Sequence, residues 1–305
     1  MKNDFIINSS LLDERGLLKE EFVSCHEIKK YDRSMVKYNK LSIKESDTYL
    51  FEDDKYFLMI VIGDHSLYSY LEVTLYDKIN HSSWHKRYQE LLTFGSISLP
   101  PSFRSGNTIH HHKNFDIEIE NTDINKIIKF HINSLSVNAH FDAEFIISGD
   151  GKSLVFTKGN ETKKEFIYKA DTTLLSVSGT FTFGPLKHTF NKAKANYIFK
   201  RGNEKKLKGI NLFCLHKDKV IDINLVDNVL VDMSKLDTFI NFNNVSINKN
   251  NGGYYFSFDN GGLMATPIRK IDNKSNHLLA RINGTISNKN GASISLDEIG
   301  LIFLL

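Results

Sequence analysis

The chain has 305 residues, 41% of them hydrophobic and 25% charged, and its 39 Lys and Arg against 36 Asp and Glu give a formal net charge of +3. That composition excludes a disordered or fibrous chain, and only four prolines exclude a Pro-rich linker protein. No run approaches the ~20 apolar residues of a membrane-spanning helix, so no integral membrane segment is expected, and near-balanced charge does not provide the concentrated basic face with which nucleic-acid binders neutralise phosphates, so nucleic acid is not an expected partner.

Taken in chain order, residues 1–8 lack the apolar core of a signal peptide, which makes the cytoplasm the expected location. Cys25 and Cys214 stand far apart at no metal or redox spacing, in keeping with a reducing compartment. The longest apolar run, residues 57–62, predicts one buried strand, and residues 70–76 alternate apolar with polar. Residues 83–92 are the best helix candidate, with Ser82 or Ser83 as cap. In the tract His110-His111-His112 the first and third imidazoles would share a strand face, and His131 or His140 could add a third. No carboxylate or histidine stands at a diagnostic spacing, however, so the tract reads as an exposed loop and no metal is expected.

Residues 115–119, 180–183 and 219–225 alternate again at period two. Between such runs lie Gly149-Asp150-Gly151, Lys158-Gly159-Asn160, Asn250-Asn251-Gly252-Gly253, Asp259-Asn260-Gly261-Gly262 and Asn288-Lys289-Asn290-Gly291, the turn chemistry of antiparallel hairpins. The basic run of residues 200–208 reads as a solvated hairpin turn with Arg201 on its surface. The pattern predicts an all-β protein of about fifteen to twenty strands, too many for one small sandwich, so two packed sheets or barrels are expected. The glycine cluster around residues 149–159 places the boundary between residues 1–160 and residues 161–305.

Chemistry-bearing motifs are scarce. Neither a Gly-x-Ser-x-Gly elbow nor a hydrolase cysteine motif occurs, and Gly252-Gly253 and Gly261-Gly262 lack the helix that follows a phosphate loop, so no cofactor is implied. The 22 Phe and 12 Tyr fill cores and cross-strand pairs or line an apolar cavity.

The order of several segments resembles the family called domain of unknown function 2804, related to the lipocalin-like carotenoid hydratases (hydroxyneurosporene synthases). The segments are residues 11–16 (LLDERG), 43–49 (IKESDTY), 62–68 (IGDHSLY) and 99–102 (LPPS) with Gly106. Later come residues 228–232 (NVLVD) with Lys235-Leu236, then Asp259, Pro267-Ile268, Asp272, residues 284–286 and residues 297–300. The chain also departs from the family. Ser46 stands where members carry Trp, and residues 197–202 (YIFKRG) replace a Leu-Asp-Trp-Gly-Arg-Gly-like block, so that the acid has become Ile198 and the Trp Phe199. A Gly-rich stretch between Leu225 and Asp227 is deleted.

The resemblance implies two lipocalin-like antiparallel β-barrels or sandwiches that bind an apolar or amphipathic small molecule, with hydratase- or cyclase-type chemistry changed or lost here. By matching position it implies Arg201 as a charged group near the pocket and Asn228 as a polar partner. Asp222 and Asn224 alternate with Ile221 and Ile223, so this polar pair shares one strand face and joins the candidate ligand contacts. The alternative is a β-sandwich module without chemistry that binds a glycan or protein partner, its contacts being exposed tyrosines such as Tyr68, Tyr70, Tyr254 and Tyr255.

Overall fold

A computed structural model describes residues 6–25, 27–102, 105–122, 125–136, 139–204, 209–216, 219–226, 229–230, 245–250, 253–259, 261–268, 277–287 and 293–304. Among them, helix is confined to two three-residue 3₁₀ turns, Arg33–Met35 and Lys40–Ser42. The protein is all-β, as the alternation predicts. It divides into two compact units, Met1–Lys205 and Lys206–Leu305.

The first unit contains β1 (Ile6–Ser10), β2 (Phe22–Ser24), β3 (Glu27–Lys30), β4 (Lys44–Glu52), β5 (Tyr56–Asp64), β6 (Tyr68–Asp77) and β7 (Ser82–Leu91). It continues with β8 (Thr108–His112), β9 (Phe115–Asn121), β10 (Asn125–Ser136), β11 (Ala139–Ser148), β12 (Lys152–Gly159), β13 (Phe166–Phe183) and β14 (Leu186–Gly202). One antiparallel sheet runs in the order β7-β6-β5-β4-β14-β13-β11-β10-β9-β8, with β12 along the other half of β13 and β2 beside β12; β1 and β3 form a separate parallel pair. The sheet curls on itself. Trp84 of β7 lies 4.7 Å from Phe183 of β13, and Tyr88 of β7 lies 6.3 Å from Phe115 of β9. His110 of the far edge strand β8 comes within 3.6 Å of Glu90 of β7.

The second unit holds β15 (Gly209–His216), β16 (Lys219–Val226), β17 (Val229–Leu230), β18 (Ser246–Asn250), β19 (Gly253–Phe258), β20 (Gly261–Pro267), β21 (His277–Ser287) and β22 (Ser293–Leu304). They form an antiparallel sheet in the order β17-β16-β15-β22-β21-β20-β19-β18.

Side chains two apart along a strand share a face, and that rule builds the cores. In the first unit Leu58, Ile60 and Ile62 of β5 join Leu71, Val73 and Leu75 of β6, Ile128, Phe130 and Ile132 of β10, and Phe141 and Phe145 of β11 in one cluster. In the second, Leu212 of β15, Ile221 and Ile223 of β16, Phe256 of β19, Ile282 of β21 and Ile302 of β22 form another. Residues 57–62 are buried within β5, the strand expected from the longest apolar run.

Four expectations need correction. Residues 83–92 form strand β7 rather than a helix, paired with β6 from Asp77↔Ser82 to Tyr68↔Leu91. Trp84 and Tyr88 are four residues apart, which places them on one face of either a helix or a strand, and the pairing surface of β6 decides in favour of the strand. The histidine tract is strand β8, not a loop: His111 points outward beside Asp116, while His110 and His112 flank Phe115. No group of three or more His, Cys, Asp or Glu that could hold a metal ion occurs among the described residues.

Gly149-Asp150-Gly151 does not close a hairpin. Ser148 pairs with Ser176 and Lys152 with Thr173, so β11 and β12 follow each other along the same side of the 18-residue β13. The unit division at Lys205 and Lys206 leaves position 160 inside the first unit, between the paired strands β12 and β13. By contrast, Asn250 pairs with Gly253 and Phe258 with Gly261, hairpins at the turn signals expected; Asn251, Gly252, Asn260 and residues 288–291 lie outside the described residues.

Of the four tyrosines considered for a surface strip, Tyr70 and Tyr254 are buried, Tyr68 is partly covered and Tyr255 is exposed. Tyr70 lies flat over its cross-strand partner Gly63, where a Cβ would come within 2.0 Å of the ring. Only glycine leaves that space open.

Candidate functional site

The end of β14 is the point where the sequence reading and the structure differ most. Lys200, Arg201 and Gly202 belong to the strand, and Arg201 is 0% exposed, among the largest fully buried side chains of the protein. Residues 205–208 of the basic run lie outside the described residues. Alternation along β14 turns Ala195, Tyr197 and Phe199 into the core, and Arg201 continues that row. Its guanidinium donates to Asp47 Oδ1 at 2.8 Å, to the Ser46 carbonyl at 3.0 Å and to the Pro100 carbonyl at 2.8 Å, and stacks 3.9 Å from the Phe199 ring centre. Burial works against this charge, but the carboxylates of Asp47 and Glu45 outweigh it. A single arginine thus ties β14, β4 and the segment at Pro100 together.

On β4, Glu45, Asp47, Tyr49 and Phe51 share a face at period two. Register places Tyr49 opposite Tyr197, and their rings stack 4.9 Å apart. Lys126, 9% exposed, opens the inward row that Ile128, Phe130 and Ile132 continue along β10. Its ammonium lies 3.9 Å from the Tyr197 ring centre and 5.7 Å from that of Tyr49. Lys126 Nζ, the hydroxyls of Tyr49 and Tyr197, Asp47 Oδ2 and Arg201 Nε are buried and make no hydrogen bond. The Tyr197 hydroxyl is turned toward Asp47 but lies outside hydrogen-bonding geometry. Burial first, and then the Asp47 charge, pushes both tyrosine hydroxyls well above their usual range. Burial also pulls the Lys126 ammonium down to about 8, with Asp47 holding it up and Arg201 adding to the fall.

Beside this cluster a cavity of ≈ 360 Å³ is lined by Tyr31, Arg33, Glu45, Ser98, Leu99 and Pro101, among others. Glu45 organises one wall. Its Oε1 accepts from the Tyr31 hydroxyl at 2.6 Å, and its Oε2 pairs with Arg33 at 2.6 Å. Arg33 sits on a 3₁₀ turn capped by Asp32 and also donates to the Asp64 carbonyl at 3.2 Å. Gly95, at φ +94°, passes so close that a Cβ there would lie 2.8 Å from Arg33 Nε, which places a glycine in that loop. Asp64 closes β5 with Oδ2 accepting from the Ser98 N–H at 3.0 Å. Burial, reinforced by the Glu45 charge and opposed by Arg33, raises its carboxyl to about 6.

The remaining expected site residues lie elsewhere. Asp222 and Asn224 sit on β16 of the second unit; Ile221 and Ile223 fill that unit's core, while Asn224 is buried and faces the other way. The surroundings of the Asp222 side chain and all of Asn228 lie outside the described residues. Arg201 therefore belongs to the first unit, and Asp222 and Asn224 to the second. Sequence reasoning missed Asp47, Tyr49, Lys126 and Tyr197, as well as Tyr31, Arg33, Glu45 and Asp64. A signal existed for four of them: Glu45, Asp47, Tyr49 and Asp64 fall within two of the segments that carry the family resemblance.

The model of the family described as Domain of unknown function (DUF2804) matches residues 4–203, nearly all of the first unit. Among solved structures, the chain resembles an AttH-like protein from Nitrosomonas europaea with a TM-score of 0.54 at 12% identity, over 90% of this chain and 96% of that one. Kievitone hydratase from Nectria haematococca aligns with a TM-score of 0.47 at 8% identity, over 86% of this chain and 88% of that one. The first likeness bears on the fold alone. No curated protein sequence matches the chain.

Proposed function

We propose that this chain, which belongs to the DUF2804 family, binds a small apolar or amphipathic molecule inside its first unit, with the polar part of that molecule against Asp47, Tyr49, Lys126 and Tyr197. The observation that carries this reading is the group of buried polar atoms without hydrogen bonds on those four residues. Folded proteins satisfy nearly all buried polar groups, and a local cluster of exceptions calls for a partner. The wall around it is aromatic and aliphatic, and small-molecule sites combine such a lining with a few convergent polar groups and displaced pKa values. The neighbouring cavity of ≈ 360 Å³ falls within the size range of such sites.

Binding, rather than turnover, is the activity proposed. The family resemblance implies an acid and a Trp where this chain carries Ile198 and Phe199, and neither of these side chains is a proton donor. Cys25 and Cys214, neither of them in a disulfide, suit the same reading of a protein working in the reducing cytoplasm. No helix among the described residues is long and apolar enough to cross a membrane.

Native mass spectrometry of freshly purified protein, compared with the same sample after denaturation and solvent extraction, tests the reading. The expected result is a bound small molecule released on denaturation, and several-fold weaker retention in a Tyr49→Phe/Tyr197→Phe variant that keeps its fold. A clean apo mass, together with no uptake of dodecanol, retinol or dodecanoate on titration, would overturn it.

A further inference from the structure

Lys126 shares its interior with a buried ion pair and has no carboxylate of its own among the described residues. Asp47 and Arg201 neutralise each other at 2.8 Å, both side chains 0% exposed. Lys126 adds a second cation to the same interior, where Asp47 holds its charge up and Arg201 opposes it. Its ammonium rests on the π-faces of Tyr197 and Tyr49, which offsets part of the cost of burial but leaves the charge in place. Hydrogen-bonding capacity leans the same way. Lys126 Nζ and Arg201 Nε can only donate, the two phenolic hydroxyls can donate or accept, and Asp47 Oδ2 is the one carboxylate oxygen of the cluster left open.

We infer that the cluster receives the carboxylate of an amphipathic monocarboxylic acid, held by Lys126 with the hydroxyls of Tyr49 and Tyr197, its apolar tail lying along the aromatic wall. This rests on the small-molecule reading above and names its ligand class. A single negative charge gives the ammonium a counter-ion of its own, and a carboxylate has enough lone pairs for an ammonium and two hydroxyls. A neutral alcohol or ketone would fill hydrogen bonds and leave the cation unbalanced, whereas a phosphate carrying nearly two charges would overshoot. The wall for the tail is continuous: Tyr49 lies 6.4 Å from Phe51, which lies 4.7 Å from Phe145 and 6.2 Å from Phe190. Lys126 is protonated at neutral pH, so it acts as a cation rather than as an amine nucleophile.

The test is calorimetric titration at pH 7 of the full chain with dodecanoate and 4-phenylbutanoate, each compared with its alcohol. Each acid is expected to bind on the order of tenfold or more tighter than its alcohol, the usual scale for a charge-assisted contact. Lys126→Met is expected to bring each acid and its alcohol to the same affinity, and to raise the thermal midpoint of the ligand-free protein, because it removes a buried charge without a counter-ion of its own. Lys126→Gln supplies a polar control of similar length and is expected to lose the preference as well. The preference should also fade as pH rises past about 8, as the ammonium faced by Asp47, Arg201, Tyr49 and Tyr197 loses its proton. Equal affinity for acid and alcohol, or an acid preference that survives in Lys126→Met, overturns the charge assignment alone. Failure of all four probes to bind the wild type overturns both this inference and the reading beneath it.

Discussion

The inward faces of the two sheets obey the same alternation and hold different chemistry. In the second unit Leu212, Ile221, Ile223, Phe256, Ile282 and Ile302 meet in an apolar core. The buried polar side chains described there, Asn211 and Asn224, stand on the opposite strand faces from Leu212 and Ile223. In the first unit the rows that contribute Phe51, Phe199 and Ile128 to the core run on to Asp47 and Glu45, to Arg201 and to Lys126. A core of the first kind only packs. One of the second kind places charges where low dielectric makes each of them expensive unless paired, and the fold bears that cost along one end of a few strands. Such placement, rather than any sequence motif in the chain, is what the proposed site rests on.

The sharpest way to break the contrast is to remove one member of the buried pair. Arg201→Met removes the hydrogen bonds to Asp47, to the Ser46 carbonyl and to the Pro100 carbonyl, and is expected to cost about 3–5 kcal/mol in urea unfolding. Adding Asp47→Leu to that variant should recover much of the loss, because an apolar replacement of both partners needs no charge balance. A destabilisation equal in the single and double variants would show that the arginine works by packing rather than by charge.

An apolar truncation in the second unit, Ile223→Ala, gives the matched control. It is expected to cost about 2–4 kcal/mol by lost burial and cavity formation, with no recovery from any charge-altering partner.

The smallest effect concerns pH. The Asp64 carboxyl is raised to about 6 from an ordinary 3.8, so the folded state binds its proton more tightly than the unfolded chain does. Stability from this group is therefore fully present below the unfolded value and is lost as pH rises through about 6, an effect of roughly 2–3 kcal/mol at most. Asp64→Asn should flatten the stability profile between about pH 4 and 6 and raise stability at pH 7, measured by urea midpoints across that range. An unchanged profile would place Asp64 in ordinary solvent contact.

The all-β class, the buried β5 and the hairpins at residues 250–253 and 259–262 were legible in the sequence, because side-chain alternation and turn chemistry are local properties of a strand and its ends. The same locality made residues 83–92 ambiguous, since a spacing of four satisfies both a helix and a strand. The run at residues 200–208 misled for a related reason. Local charge density marks a surface, yet Arg201 is placed by register with β4 and by the carbonyl of Pro100, 101 residues away.

The amino-acid order by itself determined which residues share a strand face, and so it already put Asp47 with Tyr49 and Phe51, and Arg201 with Phe199 and Tyr197. Only the tertiary structure decided that these two rows lie side by side, and that Lys126 arrives over them from β10. Which strands meet depends on long-range register and on the curl of the whole sheet, and no local period in the chain encodes either.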